Sequence, residues 1–198
     1  MLRYKILHRT EYRFSAPVTL LPHSLRLRPR EGAELRIESS SLIITPPSIL
    51  RWYRDVEDNA VAIATFADAA DCLTIESEVL IQHYNEFPLD FLVADYAAEY
   101  PFRYTPEDQV VLMPYIALSG TTNVRALANW VSGIWRPGER IQTYALLERL
   151  CVHINRRFTY QIREEPGVQP ADVTLTRGSG SCRDFASLLV EAARYLGL

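Results

Sequence analysis

Apolar and polar residues alternate through the first 85 or so positions of the chain, with the period of two that is typical of half-buried β-strands. Alternate residues from Tyr4 to Phe14 share one face of a strand, and charged residues occupy most of the other face. Proline pairs and clusters of Asp and Asn interrupt the alternation. Short strands at this spacing predict an antiparallel β-sandwich, with strands at residues 4–14, 25–29, 35–45, 50–54, 60–66 and 73–82.

Helical spacing replaces this alternation in the second half of the chain. Apolar stripes run through residues 124–135 and 141–154, and each predicts an amphipathic helix. A third stripe begins at Phe185 and ends before Gly197, which is a typical stop for a helix. The members of this last stripe are Phe185, Leu188, Leu189, Ala192 and Leu196.

Prolines and aromatic residues are concentrated between the strands and the helices. This composition predicts an ordered connector, because a disordered linker would hold fewer aromatic residues. The prolines are Pro88, Pro101, Pro106 and Pro114. The pattern therefore predicts an α+β protein in three parts, with a β-sandwich domain at 1–86, a connector at 87–120 and a helical part at 121–198.

A glycine-rich turn with a cysteine precedes the last predicted helix. Ser181 and Asp184 have the S-x-x-D form of a capping box, which predicts that Cys182 is the first helical residue. The free N–H groups and the positive dipole end at that position favour a thiolate and can hold a developing oxyanion. Cys182 is therefore the candidate catalytic nucleophile, and the residues expected to support the oxyanion and the turn are Gly180, Ser181, Arg183 and Asp184.

The other two cysteines are predicted to be structural. Cys151 lies within the helical stripe of residues 147–158, so we expect it to be a small buried apolar residue, and Cys72 lies among strand residues. The same structural role is the alternative for Cys182, but the flanking glycines and the cap position favour the nucleophile. An odd number of cysteines does not make a disulfide framework.

The segment Gly180-Ser181-Cys182-Arg183-Asp184-Phe185-Ala186 resembles the nucleophile segment of transglutaminase-like proteins, which belong to the papain-like superfamily of thiol enzymes. Residues 12–14 and 22–30, with Asp55 and Asn59, resemble the separate domain that precedes this core in a bacterial branch. One departure is Asp58, where that branch often has a glycine. The resemblance implies an N-terminal antiparallel β-sandwich followed by the helical half of a papain-like core.

The resemblance also implies acyl transfer at peptide or protein amide bonds through a Cys-His-Asp triad. Hydrolysis by a cysteine peptidase or amidase and transfer to an amine both remain open. The histidine of such a triad follows the cysteine, whereas all four histidines here precede Cys182: His8, His23, His83 and His153. The chain thus resembles a truncated enzyme that is inactive alone, since thiol catalysis needs a base within reach.

His153 is the histidine that could substitute for the missing base. It lies off the apolar stripe of its helix, so we expect it to face solvent. The alternative function is a non-enzymatic scaffold or binding module of the same fold, which the retained Cys182 disfavours. An uncovered stripe on the last helix would make a homo-oligomer possible.

Composition and charge limit the partners and the location that we expect for the protein. The 198 residues are 48% hydrophobic and carry a formal net charge of −3, although the first 36 residues are basic. Arg26, Arg28 and Arg30 alternate with apolar residues, as on the solvated face of a strand. Given the acidic total, we expect no nucleic-acid partner. No apolar stretch approaches the roughly 18 residues of a membrane span and no leader is visible, so we expect a cytoplasmic location, no membrane partner and no cofactor.

Overall fold

The computed structural model describes residues 1–85, 87, 89–120 and 122–198. These residues divide into two compact units, Met1–Phe91 and Leu92–Leu198. The predicted domain boundary at residue 86, Pro88 of the predicted connector and residue 121 at the start of the predicted helical part lie outside the described residues. The division into three parts therefore stays a prediction.

The first unit is an antiparallel β-sandwich, as the alternation predicts. Its described residues form two sheets, with strand orders β1-β6-β3 and β2-β5-β4. Every pairing between these strands is antiparallel. Each predicted strand overlaps an observed one, and the strands are β1 Leu2–Val18, β2 His23–Arg28, β3 Leu35–Thr45, β4 Ile49–Arg54, β5 Ala60–Thr65 and β6 Ala70–His83.

The core of this unit forms between its two sheets. Leu73 and Ile75 of β6 are buried with Leu20, and partly buried residues of β2 and β3 pack against them. The central strand β6 alternates strictly between buried and half-exposed positions, whereas the edge strand β1 is exposed along most of both faces. Arg26, Arg28 and Arg30 are exposed, as their alternation with apolar residues predicts.

The second unit is helical, with two short pairs of strands. Strand β7 pairs with β8 in an antiparallel sense, and β9 pairs with β10 in a parallel sense. The described elements are β7 Glu99–Tyr100, α1 Pro106–Ile116, α2 Val124–Val131, β8 Ile141–Gln142, α3 Thr143–Arg157, β9 Thr159–Tyr160, α4 Ala171–Arg177, β10 Ser179–Gly180 and α5 Cys182–Tyr195. The α+β fold class predicted from the sequence is confirmed.

Helix α1 lies within the segment predicted as an ordered connector. Thr105 caps its N-terminus by accepting a hydrogen bond from Asp108 N–H at 3.2 Å, and Pro106 occupies the first helical position. Proline is well tolerated there, because the first N–H of a helix has no partner within the helix. Pro106 therefore starts the helix, whereas Pro114 lies inside it.

The core of the second unit forms where α2, α3 and α5 pack together. The expectation that the apolar stripe of α5 is uncovered is wrong for Leu188, Ala192 and Leu196, which are buried. Phe185 and Leu189 are partly buried against the same core. The stripe is covered because α2 and α3 supply facing apolar residues, namely Leu127, Val131, Leu146, Leu150 and Ile154.

No helix among the described residues is both long enough and apolar enough to cross a membrane.

Candidate active site

Two glycines set the approach to α5 for different reasons. Gly178 ends α4 in the left-handed conformation, with φ of 66°, which residues with a side chain rarely adopt. Gly180 has an ordinary backbone, but a Cβ there would lie 3.0 Å from the Cβ of Asp184 and 3.4 Å from the ring of Phe185. A glycine is therefore needed at 180 to let the turn lie against the first turn of α5.

The turn is also tied to the chain that follows α3. Thr159 N–H donates to Gly178 O, and Gln161 N–H donates to Gly180 O, both at 2.9 Å. These bonds form the short parallel ladder between β9 and β10. The residues before Cys182 are thus fixed by backbone hydrogen bonds on one side and by close packing on the other.

The predicted capping box is confirmed. Helix α5 begins at Cys182, with Ser181 as its N-cap and Asp184 at the third helical position. Ser181 N–H and Ser181 Oγ–H each donate to Asp184 Oδ2 at 2.8 Å. Cys182 itself is exposed. The thiol is therefore accessible at the end of a helix where free N–H groups gather.

The Asp184 carboxylate is fully buried beneath this turn. Its Oδ1 accepts a hydrogen bond from Gln169 N–H at 2.8 Å, and its Oδ2 lies 2.8 Å from Arg163 Nε. Burial alone would raise the pKa of Asp184, but hydrogen bonds from Gln169, Ser181 and Arg163 outweigh it and hold the pKa well below its usual range. Asp184 is therefore a charged carboxylate at neutral pH.

The loop between β9 and α4 is fastened to this carboxylate. Arg163, whose side chain is 14% exposed, also donates from Nη2 to Gly167 O at 3.3 Å. The side-chain amide of Gln169 donates to Thr174 Oγ1 at 2.9 Å and to Ser179 O at 3.1 Å. Arg183 is exposed, and its guanidinium donates to Glu165 O at 2.5 Å and to Arg163 O at 3.3 Å. The site residues predicted from the sequence did not include Arg163 or Gln169.

The prediction that Cys151 is buried is wrong. Cys151 is exposed on α3 and lines an open apolar cavity of about 430 Å³ between α3 and α5. Ala186, one helical turn after Cys182, lines the same cavity. The other lining residues are Ile154, Asn155, Phe158, Tyr160, Phe185 and Leu189. We call this cavity the α3–α5 groove. Cys72 is half-buried on β6, in agreement with a structural role.

The prediction that His153 faces solvent is only partly correct. His153 is half-buried, and its ring lies edge-on to Trp130 with the ring centroids 5.5 Å apart. Burial lowers its pKa, and the nearby Arg157 lowers it further. Within residues 122–198 no hydrogen bond joins His153 to Cys182. The described residues also contain no group of three or more His, Cys, Asp or Glu side chains that could hold a metal ion.

Comparison with known proteins assigns the two halves of the chain. Residues 4–82 match the bacterial transglutaminase-like N-terminal region, and residues 135–198 match the transglutaminase-like superfamily. The chain therefore carries a bacterial transglutaminase-like N-terminal region ahead of a region of the transglutaminase-like superfamily. The resemblance found in the sequence is confirmed.

One solved structure shows the same fold. It is "The Crystal Structure of a Putative Cysteine Protease from Cytophaga hutchinsonii", which aligns with a TM-score of 0.68 at 16% sequence identity. The alignment covers 98% of this chain but 63% of that protein, so this chain spans less than two thirds of its structural relative. No match was found among curated proteins. The chain has a thiol-enzyme fold.

Proposed function

We propose that this chain carries the nucleophile of a thiol enzyme that acts on peptide or protein amide bonds. The observation that supports this most strongly is the exposed Cys182 thiol at the first residue of α5, above the buried Asp184. Free backbone N–H groups at a helix N-terminus favour a thiolate and can stabilise an oxyanion. The transglutaminase-like core and the likeness to a protein named as a cysteine protease agree with this chemistry.

In the proposed reaction, the Cys182 sulfur forms a bond to the amide carbonyl carbon, and the C–N bond then breaks. The amine leaves with a proton from a general acid, and the acyl group stays on the sulfur as a thioester. Water would convert the thioester to a carboxylic acid, whereas a second amine would convert it to a new amide. We favour hydrolysis, because the solved structure with the same fold is named as that of a "Putative Cysteine Protease".

The general acid–base of this reaction is supplied, in our proposal, from outside residues 1–198. His153 is the only histidine beyond residue 91, and its ring packs against Trp130. The family resemblance implies that a histidine follows the nucleophile and is oriented by an aspartate. The structural relative is longer than this chain, which leaves room for such residues in a parent protein.

A binding module of the same fold is the second candidate. It is favoured by one observation, namely that no hydrogen bond joins a histidine to Cys182 in the described part of the second unit. Such a module would bind a peptide without forming a thioester. Covalent capture on Cys182 therefore separates the two candidates.

The test uses p-nitrophenyl acetate, an activated ester whose leaving group needs no acid. We expect acetylation of Cys182 in residues 1–198, detected by peptide mass mapping. The signal should disappear in Cys182→Ser and persist in Cys151→Ser, which is the matched control. Peptide amides should turn over at a negligible rate, since losing triad members costs on the order of 10³-fold or more in related chemistry.

Two results would contradict the proposal at different levels. Acetylation of Cys151 at the same rate as Cys182 would remove the basis for a dedicated nucleophile. Amide turnover that depends on Cys182 in residues 1–198 would mean that the base, His153 or another group, lies within this chain.

A further inference from the structure

The loop at residues 163–169 is held by the two residues that follow Cys182. Asp184 binds the Arg163 side chain and the Gln169 N–H, and Arg183 binds the backbone carbonyls of Arg163 and Glu165. The loop is therefore fastened at its beginning, middle and end to the first turn of α5. Any displacement of this loop must also disturb the turn that carries the thiol.

Capping of α5 does not account for Arg163. Ser181 and the N-terminal end of the helix already stabilise the Asp184 carboxylate, as in other helices with an acidic residue in the first turn. Bringing the Arg163 guanidinium to 14% exposure adds a cost of desolvation. The arginine must therefore serve something besides the helix cap.

The position of the Arg163–Asp184 ion pair next to Cys182 in the sequence indicates its role. Asp184 is two residues from Cys182, and a lone buried carboxylate there would disfavour a negative charge on the sulfur. Arg163 Nε at 2.8 Å from Asp184 Oδ2 offsets that charge. The same guanidinium reaches Gly167 O, so it also closes the loop on itself.

We propose that Arg163 is a positioning residue for Cys182, which acts through Asp184. It neutralises the carboxylate behind the thiol and fixes residues 163–169 as a rigid wall beside the nucleophile. This inference rests on the proposed function, since it assumes that Cys182 reacts as a thiolate. It goes further by assigning a role to a residue that lies 19 positions before the cysteine.

Alkylation by iodoacetamide at pH 7 tests the inference, with Cys151 as a standard in the same molecule. We expect Arg163→Gln to lower the labelling rate of Cys182, relative to Cys151, by about tenfold, which corresponds to a barrier higher by about 1.4 kcal/mol. Arg163→Lys keeps the charge and should recover most of the rate. The double variant Arg163→Gln/Asp184→Asn removes both charges, so it should also recover, because no lone carboxylate remains.

Arg140→Gln is the matched control, because Arg140 forms an ion pair with Glu99 at 2.5 Å elsewhere in the same unit. It should leave the Cys182-to-Cys151 ratio unchanged. Hydrogen exchange at the Gln169 backbone N–H supplies a second readout, and we expect faster exchange in Arg163→Gln but not in Arg140→Gln.

Four other results would contradict the role proposed for Arg163 or the proposed function. An unchanged ratio in Arg163→Gln, or a double variant as slow as the single one, would overturn the inference. Loss of hydrogen-exchange protection throughout α5 in Arg163→Gln would mean that the unit unfolds, and Arg163 would then be a folding residue only. If the unmodified chain labels Cys182 no faster than Cys151, the proposed function itself fails, whichever result the variants give.

Discussion

Cys182 and Cys151 are exposed thiols on α5 and α3, two helices that pack together in the same unit. Their surroundings differ in kind. Cys182 lies at the N-terminus of a helix whose first turn also carries Asp184, the fully buried partner of Arg163. Cys151 lies in the middle of a helix and lines the apolar α3–α5 groove. Both thiols are accessible, so accessibility alone does not distinguish a nucleophile from a bystander.

The two thiols differ in the polar groups around them. Cys182 starts a helix, where free N–H groups and the positive end of the dipole gather, and Arg163 pairs with the Asp184 carboxylate two residues further on. The groove at Cys151 presents apolar side chains such as Phe158 and Leu189. We therefore expect reactivity to follow the polar groups near the thiol rather than its exposure.

Loss of the Asp184 carboxylate should produce the largest effect. Asp184→Ala removes the cap of α5 and leaves the largely buried Arg163 guanidinium with only the exposed Glu165 as an ionic partner. Removing one partner of a buried ion pair typically costs about 3–5 kcal/mol of unfolding free energy. Urea unfolding followed by tryptophan fluorescence measures this change, because two of the three tryptophans, Trp130 and Trp135, lie in the second unit.

Glu99→Gln is the control for that measurement. Glu99 pairs with Arg140, but both side chains are more than half exposed, so the loss should stay below about 1 kcal/mol. A loss for Asp184→Ala as small as the one for Glu99→Gln would mean that the carboxylate is not a structural centre of the site.

Lowering the pH should reveal how much the Asp184 carboxylate contributes to stability. Burial opposes ionisation of Asp184, but its hydrogen bonds prevail and lower its pKa below the ordinary value of 3.8. A group with a lowered folded-state pKa contributes stability above its unfolded pKa and loses that contribution as the pH falls. We therefore expect the unmodified chain to lose more stability than Asp184→Asn between about pH 5 and about pH 2.

The difference between the two proteins is the informative quantity. In the first unit, hydrogen bonds from Asn59 lower the pKa of Asp55 to about 2, so that unit also weakens in acid. This background is common to both proteins and cancels in the comparison. Parallel stability curves for the unmodified chain and Asp184→Asn would contradict the assigned role of Asp184.

The direct test of the comparison is the labelling rate of the two thiols. With limiting iodoacetamide at pH 7, we expect Cys182 to react about tenfold faster than Cys151, because thiols at helix N-termini are generally more reactive than thiols in apolar surroundings. Peptide mapping by mass spectrometry separates the two sites, and Cys72 serves as a half-buried reference. Faster labelling of Cys151 would reverse the assignment of the nucleophile.

The strands could be predicted because their information is local. Alternation along one segment reports a strand with one buried face, and β3 has the bounds that the pattern predicts, Leu35–Thr45. The capping box of α5 is equally local, since Ser181 and Asp184 are three residues apart. The segment that holds helix α1 was predicted only as an ordered connector, although Pro106 stands where a helix accepts proline.

The remaining features depend on contacts that are distant along the chain. The stripe on α5 predicts a buried face, but not that Leu127 and Leu146 cover it. Cys151 lies at the margin of its stripe, where the helical period alone does not decide between core and groove. The pairing of Arg163 with Asp184 crosses 21 residues with no pattern between them, so only the folded chain reveals it.

The smallest expected effect concerns the α3–α5 groove. Most of the stripe once expected to drive a homo-oligomer is buried, and what remains open is the groove, with Tyr160 at 59% exposure on its wall. Apolar surfaces of limited size support at most weak association. We therefore expect a monomer at low concentration and a weak dimer at high concentration, measured by light scattering across a dilution series.

Leu189→Glu should abolish the dimer by placing a charge in the groove. Val190→Glu, at an exposed neighbouring position that does not line the groove, should leave the dimer unchanged. Equal effects of the two variants would show that copies of the chain do not associate through the α3–α5 groove.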